Sequence, residues 1–187
     1  MIWRVNKVAK VVIISGSPTP TSRLHGVIEL AKSALLQAGL EVEWIKVRDI
    51  PAEDLLYANF NSEAILKANA HVAEADAVFV ATPVYKASYT GVLKAFLDLL
   101  PQKGLERKIV LPLAVGGTIS HLLAIDYALK PVLSSLGAQN ILQGVYVIDK
   151  QVTWGDQGQA ILDDEVSSRL QESVAEFIQE IKWHTSR

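Results

Sequence analysis

An α/β fold, a parallel sheet with helices on both faces, is predicted by three features of the chain. Strand-like and helix-like segments alternate five times along it, the pattern of successive strand–helix crossovers. The apolar runs at 77–81 and 109–115 are continuous rather than alternating, as befits strands buried on both faces. Polar breaks rich in Gly, Pro and hydroxyl side chains follow three of the strands, at 16–23, 82–89 and 116–121. In a parallel sheet such breaks gather at the carboxyl ends of the strands, where ligands bind.

Each element has its own local signal. Residues 1–10 mix Trp3 with Arg4, Lys7 and Lys10 and read as a short extension into a first strand over 8–15. Leu24, Val27, Ile28, Ala31, Leu35 and Ala38 then recur at spacings of three and four, a helix with one apolar face, and Gly39 stops it. Over 40–47 the apolar residues nearly alternate with Glu41, Glu43 and Lys46, which places this strand toward a sheet edge. Residues 49–60 are irregular, and the Leu55-Leu56-Tyr57 cluster is expected to cover part of the body. A helix is expected over 62–74, a central strand over 77–81 ending at Thr82-Pro83, and a helix from Thr90 that Pro101 and Gly104 terminate.

The strand at 109–115 contains Pro112, whose missing N–H predicts a bulge or an unpaired position. A helix over 120–136 contains Pro131, which should kink or split it. The last strand, 141–148, is interrupted by Gly144; a polar segment at 149–159 precedes a final helix over 163–183.

Composition narrows the function. The 187 residues suit one domain spanning the chain, with no repeat or linker dividing it. Without cysteine, disulfides, thiolate catalysis and cysteine metal sites are excluded. A net charge of −2 gives no general nucleic-acid footprint, and no apolar run approaches the roughly 20 residues of a membrane span. A cytoplasmic protein with neither nucleic-acid nor membrane partner is expected. His25, His71, His121 and His184 lack metal-ligand spacing.

The first break runs Ser15-Gly16-Ser17-Pro18-Thr19-Pro20-Thr21-Ser22-Arg23 into a helix start. Unpaired backbone N–H groups and the helix dipole favour a phosphate there. The hydroxyls of Ser17, Thr19, Thr21 and Ser22 add donors, and Arg23 adds a charge. A capped helix with a polar turn explains the same residues, so both readings stand. Neither a nucleotide P-loop nor a G-x-G-x-x-G fingerprint is present, which suits a single terminal phosphate.

In the second break, Pro83, Val84, Tyr85, Lys86, Ala87 and Ser88 pair a rigid turn with an aromatic side chain suited to covering a flat ring. Tyr85 and Tyr89 packing against a neighbouring subunit is the alternative. In the third, Gly116 and Gly117 allow backbone to approach a ligand, followed by Thr118 and His121. No acid–base constellation is evident, which suits a cofactor that performs the chemistry itself.

Three stretches carry a resemblance: Gly16-Ser17-Pro18; Thr82-Pro83-Val84-Tyr85-Lys86-Ala87-Ser88-Tyr89-Thr90-Gly91-Val92-Leu93-Lys94; and Gly116-Gly117-Thr118-Ile119-Ser120-His121-Leu122-Leu123-Ala124-Ile125-Asp126-Tyr127-Ala128-Leu129-Lys130-Pro131. Together they resemble the NADPH-dependent FMN reductases, most of all the alkanesulfonate-system branch, reductase partner of a two-component flavin monooxygenase. The likeness spans residues 8–148, and its second and third stretches are the more specific. It implies a flavodoxin-like three-layer sandwich with a five-stranded parallel sheet of order 2-1-3-4-5 and FMN at the switch point. Ser17 and Ser22 would contact the phosphate, Pro83 to Ser88 would line the isoalloxazine, and Gly116 and Gly117 would approach it. Many relatives carry arginine where this chain has Thr19, leaving Arg23 as the candidate charge.

Within that branch Tyr127 would occupy an inserted, helix-widening position at a subunit interface of a homotetramer. The implied reaction is hydride transfer from NADPH or NADH to flavin N5, after which reduced FMN leaves for the monooxygenase. The competing readings are a flavin-retaining quinone or azo-compound reductase and a non-enzymatic flavodoxin-like electron carrier.

Overall fold

The structure is a computed structural model that describes residues 8–186; the extension expected over 1–7 lies outside them. The first run forms β1 (Lys10–Ser15). It begins two residues later than expected, because pairing with the next strand starts with Lys10 opposite Glu41. Ser22 caps α1 (Arg23–Gln37), and β2 (Glu41–Lys46) follows. A 3-10 turn (Val47–Asp49) then leads to the short α2 (Ala52–Leu56) and to α3 (Glu63–Glu74). Leu56 and Tyr57 are each 77% exposed, so the cluster expected to cover the body does so only through Leu55.

The central strand, β3 (Ala77–Tyr85), runs four residues past its expected end and turns back into β4 (Ser88–Tyr89) before α4 (Gly91–Leu97). Pro83 does not stop it. The Ala81 carbonyl accepts from Gly16, so two residues on the Pro83 nitrogen faces the side that β1 has already left.

β5 (Ile109–Gly116) is buried throughout. A 3-10 turn (Ile119–His121), a π-helical turn (Ile125–Leu129) and α5 (Lys130–Ser135) replace the single helix expected there. Pro131 is the second residue of α5, where its missing N–H is tolerated, and the split expected there falls just before it, between the π-helical turn and α5. The irregularity lies one step earlier, around Tyr127.

The last sheet position is split into β6 (Asn140–Ile141) and β7 (Val145–Ile148). Leu142 donates to Val110, so by strand alternation the nitrogen of Pro112 also faces this strand, at its break. Gly144, at φ +90°, lies where a Cβ would come within 2.7 Å of the Pro112 carbonyl. The expected disturbance at Pro112 is therefore carried by the partner strand, while β5 keeps its register with β3.

The segment expected as a polar connection contains a 3-10 turn (Asp149–Gln151) and a hairpin, β8 (Val152–Trp154) with β9 (Ala160–Leu162). α6 (Asp164–Thr185) closes the fold, capped by Asp163.

The sheet order is β2-β1-β3-β5-β6, with β7 continuing beside β5, and every pairing on this path is parallel. This is the 2-1-3-4-5 order with its fifth strand in two pieces. Alternate residues of the buried strands feed opposite faces. Val11, Ile13, Phe79 and Leu111 pack under α1 and α6 with Phe177. Val12, Ile14, Val78 and Val80 pack on the other face with Ile65, Phe96 and Leu133. Among the described residues, no helix is long and apolar enough to cross a membrane.

Candidate active site

β1 ends beside β3, which continues past it, and the chain must turn sharply at Gly16. Its N–H donates to the Ala81 carbonyl at 2.9 Å, and a Cβ there would overlap the Cβ of Leu93. The hydroxyl loop folds on itself. Ser17, 4% exposed, places its Oγ 3.2 Å from Thr19 Oγ1 and 3.3 Å from Ser22 Oγ. Ser22 Oγ in turn accepts from the His25 N–H at 3.3 Å, closing the first turn of α1. Three hydroxyls thus cluster at the N-terminus of a 15-residue helix, a donor set that fits a phosphate.

Thr90 ties this loop to the second. Its Oγ1 donates to the Gly16 carbonyl at 2.6 Å and accepts from Leu93 N–H at 3.1 Å as the cap of α4. Its own N–H donates to Thr82 Oγ1, which donates to the Pro83 carbonyl at 2.9 Å. Beyond it the β3–β4 hairpin turns through Lys86 and Ala87, both left-handed at φ 50° and 64° without being glycine.

The third loop is held from behind. Tyr146, buried on β7, donates its hydroxyl to the Thr118 carbonyl at 2.8 Å. Burial pushes its phenol pKa up, so the group stays a donor. A Cβ on Gly116 would overlap that hydroxyl, which leaves backbone alone facing the cleft.

Residues from all three loops line one cleft of about 280 Å³: Thr21, Ser22 and Arg23 from the first, Pro83, Val84 and Tyr85 from the second, Gly116 and Gly117 from the third. Ser17 stands behind this wall, bonded to Ser22. Thr19, Lys86, Ala87 and Thr118 are exposed around it and Ser88 is half-buried on β4, so these sequence candidates frame the cleft rather than wall it.

Arg23 donates its Nε to the Val152 carbonyl at 3.2 Å, which draws it toward the β8–β9 hairpin. The sequence reading missed Leu24, Val115 and Asp149 in the lining. The signal for Asp149 was its place directly after the last strand. It also missed Arg48, whose Nε donates to the Pro18 carbonyl at 3.2 Å.

A larger cleft of about 530 Å³ lies at the opposite end, against the starts of β1 and β2. Its Glu41, Glu43 and Glu74 carboxylates outnumber Lys10, which pairs with Glu74 and Glu41, and the net negative charge would repel an anionic ligand. The chemistry therefore points to the carboxyl-end cleft. A phosphate end of hydroxyls and a helix N-terminus, joined to a slot walled by proline, tyrosine and bare glycine backbone, fits FMN.

Comparison with known proteins agrees. The FMN reductase (NADPH) of Pseudomonas putida is 49% identical over 168 residues, covering 89% of this chain and 85% of that protein. The FMN reductase (NADPH) of Escherichia coli K12 is 50% identical over 143 residues, covering 76% and 75%. Among solved structures, the apo form of the NADH:FMN oxidoreductase EMOB matches with a TM-score of 0.83 and 36% identity, covering 92% of this chain and 90% of that one. The family model described as NADPH-dependent FMN reductase matches residues 9–153. With the cleft at the carboxyl ends of a 2-1-3-4-5 sheet, these matches make the chain a member of the NADPH-dependent FMN reductase family.

Proposed function

We propose that this chain, one flavin-binding domain acting in the cytoplasm as a homotetramer, reduces FMN with NAD(P)H. The reduced flavin then passes to a partner monooxygenase in alkanesulfonate desulfonation and sulfur assimilation. The observation that carries the reading is the convergence of three loops on one cleft with a phosphate-type donor set at one end. FMN, when bound, supplies the redox chemistry as acceptor of the nicotinamide hydride. The chain supplies placement. Ser17, Thr19, Thr21 and Ser22 hold the phosphate end, Pro83, Val84 and Tyr85 line the ring with Lys86, Ala87 and Ser88 framing it, and the Gly116-Gly117-Thr118 backbone approaches it. The hold rests on hydroxyls and backbone groups in an open cleft, which suits a flavin that is released after reduction.

Tyr127 stands out from the π-helical turn, 79% exposed, beside exposed Leu122 and Leu123. An aromatic and aliphatic surface of this kind supports the tetramer.

The test is a steady-state assay of the purified protein with free FMN and either nicotinamide. FMN-dependent loss of nicotinamide absorbance is expected, with FMN removed by dialysis. No flavin-dependent loss overturns the reading. Retained flavin with ping-pong turnover of quinones or azo compounds replaces it with a flavin-retaining reductase.

A further inference from the structure

We infer that Arg48, from the turn after β2, supplies the positive charge for the flavin phosphate at the hydroxyl loop. The inference rests on reading that loop as the phosphate end of the site. β1 and β2 pair in register up to Ser15 opposite Lys46, so both chains leave the sheet at the same carboxyl edge. Three residues past Ser15 and two past Lys46, the loops meet: Arg48 Nε donates to the Pro18 carbonyl at 3.2 Å. Pro18 lies between Ser17 and Thr19, whose hydroxyls are 3.2 Å apart. The guanidinium is thus tethered to the backbone of the hydroxyl cluster itself.

One of its five N–H donors makes that tether, and the Nη groups carry the other four, enough for a bidentate hold on a phosphate. Asp49 lies 3.7 Å from Nη1 and restrains the side chain. It is an exposed pair of the kind a dianion can displace.

Arg23 lines the cleft and gives only its Nε to Val152 in the hairpin, so it is the rival that the Arg23→Gln variant tests. The other neighbouring cations are directed elsewhere. Lys46 lies 4.7 Å over the Trp44 ring, and Lys32 lies 5.5 Å from the same ring. His25 is held below its ordinary pKa by burial and then by Lys46, so it is neutral near pH 7.

Flavin-fluorescence titration of FMN and riboflavin, at low and high salt, tests the assignment on the wild type, Arg48→Gln and Arg23→Gln. Wild type should prefer FMN, and salt should weaken FMN alone. Arg48→Gln should bind FMN about tenfold more weakly, from loss of a charge-assisted pair, with riboflavin affinity held within about twofold and the salt dependence flattened. Arg48→Gln that keeps the FMN preference overturns the inference, as does equal weakening of both ligands, which would make Arg48 a loop tether only. Loss of the preference in Arg23→Gln instead assigns the charge to Arg23. A wild type indifferent to the phosphate overturns the reading beneath the inference.

Discussion

At the scale of single residues, the site depends on atoms that are missing as much as on those present. Gly16 faces Leu93 Cβ, Thr90 Oγ1 at 3.0 Å and Leu93 Cα at 3.1 Å, and none of these is the yielding end of a long side chain. Gly16→Ala should therefore destabilise the fold by about 1–3 kcal/mol, as overpacking does, and weaken flavin binding; denaturant unfolding and flavin titration measure both. His25 makes a pH prediction. Its ring packs against Trp44 at 4.5 Å between centroids, tilted by 39°, and burial lowers its pKa from the usual 6.5. The unfolded chain then takes up the proton first as pH falls, so this stability is complete above the unfolded value and is lost as pH drops from there through the lower folded value. Urea midpoints should fall on acidification in that window, and His25→Gln should flatten the fall. A wild-type midpoint independent of pH there would contradict it.

At the scale of elements, the hydroxyl of Thr90 caps α4 and binds the turn after β1 in one group. Thr90→Val keeps the shape and removes both bonds, leaving the Gly16 carbonyl without this buried partner. A loss of about 2 kcal/mol is expected from the cap and the bond together, with Thr90→Ser close to wild type. Thermal and urea unfolding of the two variants decide it. The caps also show what was legible in the chain. Ser22, Ser62, Thr90 and Asp163 each stand at the start of a helix seen in the sequence, because a hydroxyl or carboxylate before an apolar period is a local signal. The extension of β3 through Pro83 was not legible, because it depends on β1 having already ended on one side. The β8–β9 hairpin escaped for a related reason. Its backing comes from α1, where a Cβ on Gly26 would overlap Ala160, and a polar stretch gives no hint of that contact.

At the scale of the whole molecule, the alternation of buried runs was enough to give a parallel sheet with helices on both faces; its 2-1-3-4-5 order was implied by the family resemblance, and that order brings three loops to one cleft. Of the cations near the cleft, Arg23 was readable beside the hydroxyls and lines the cleft, with its Nε on Val152, whereas Arg48 arrives from the neighbouring strand and was not readable. Assembly is tested at this scale too. Light scattering on the wild type should give the mass of a tetramer, and Tyr127→Asp, which places a charge on the exposed π-helical turn, should lower it; an unchanged mass removes Tyr127 from the interface. The broken fifth strand has a consequence at the sheet's outer edge. An unbroken edge strand would expose a row of free N–H and C=O groups able to recruit another chain into growing aggregates. With two residues in β6, four in β7, and Gly144 seated against Pro112 between them, that edge is too short and too irregular to template one. The opposite edge, β2, carries Glu41, Glu43 and Lys46 as charged gatekeepers. The same proline and glycine that interrupt the sheet thus make this edge a poor template for a strand from another chain.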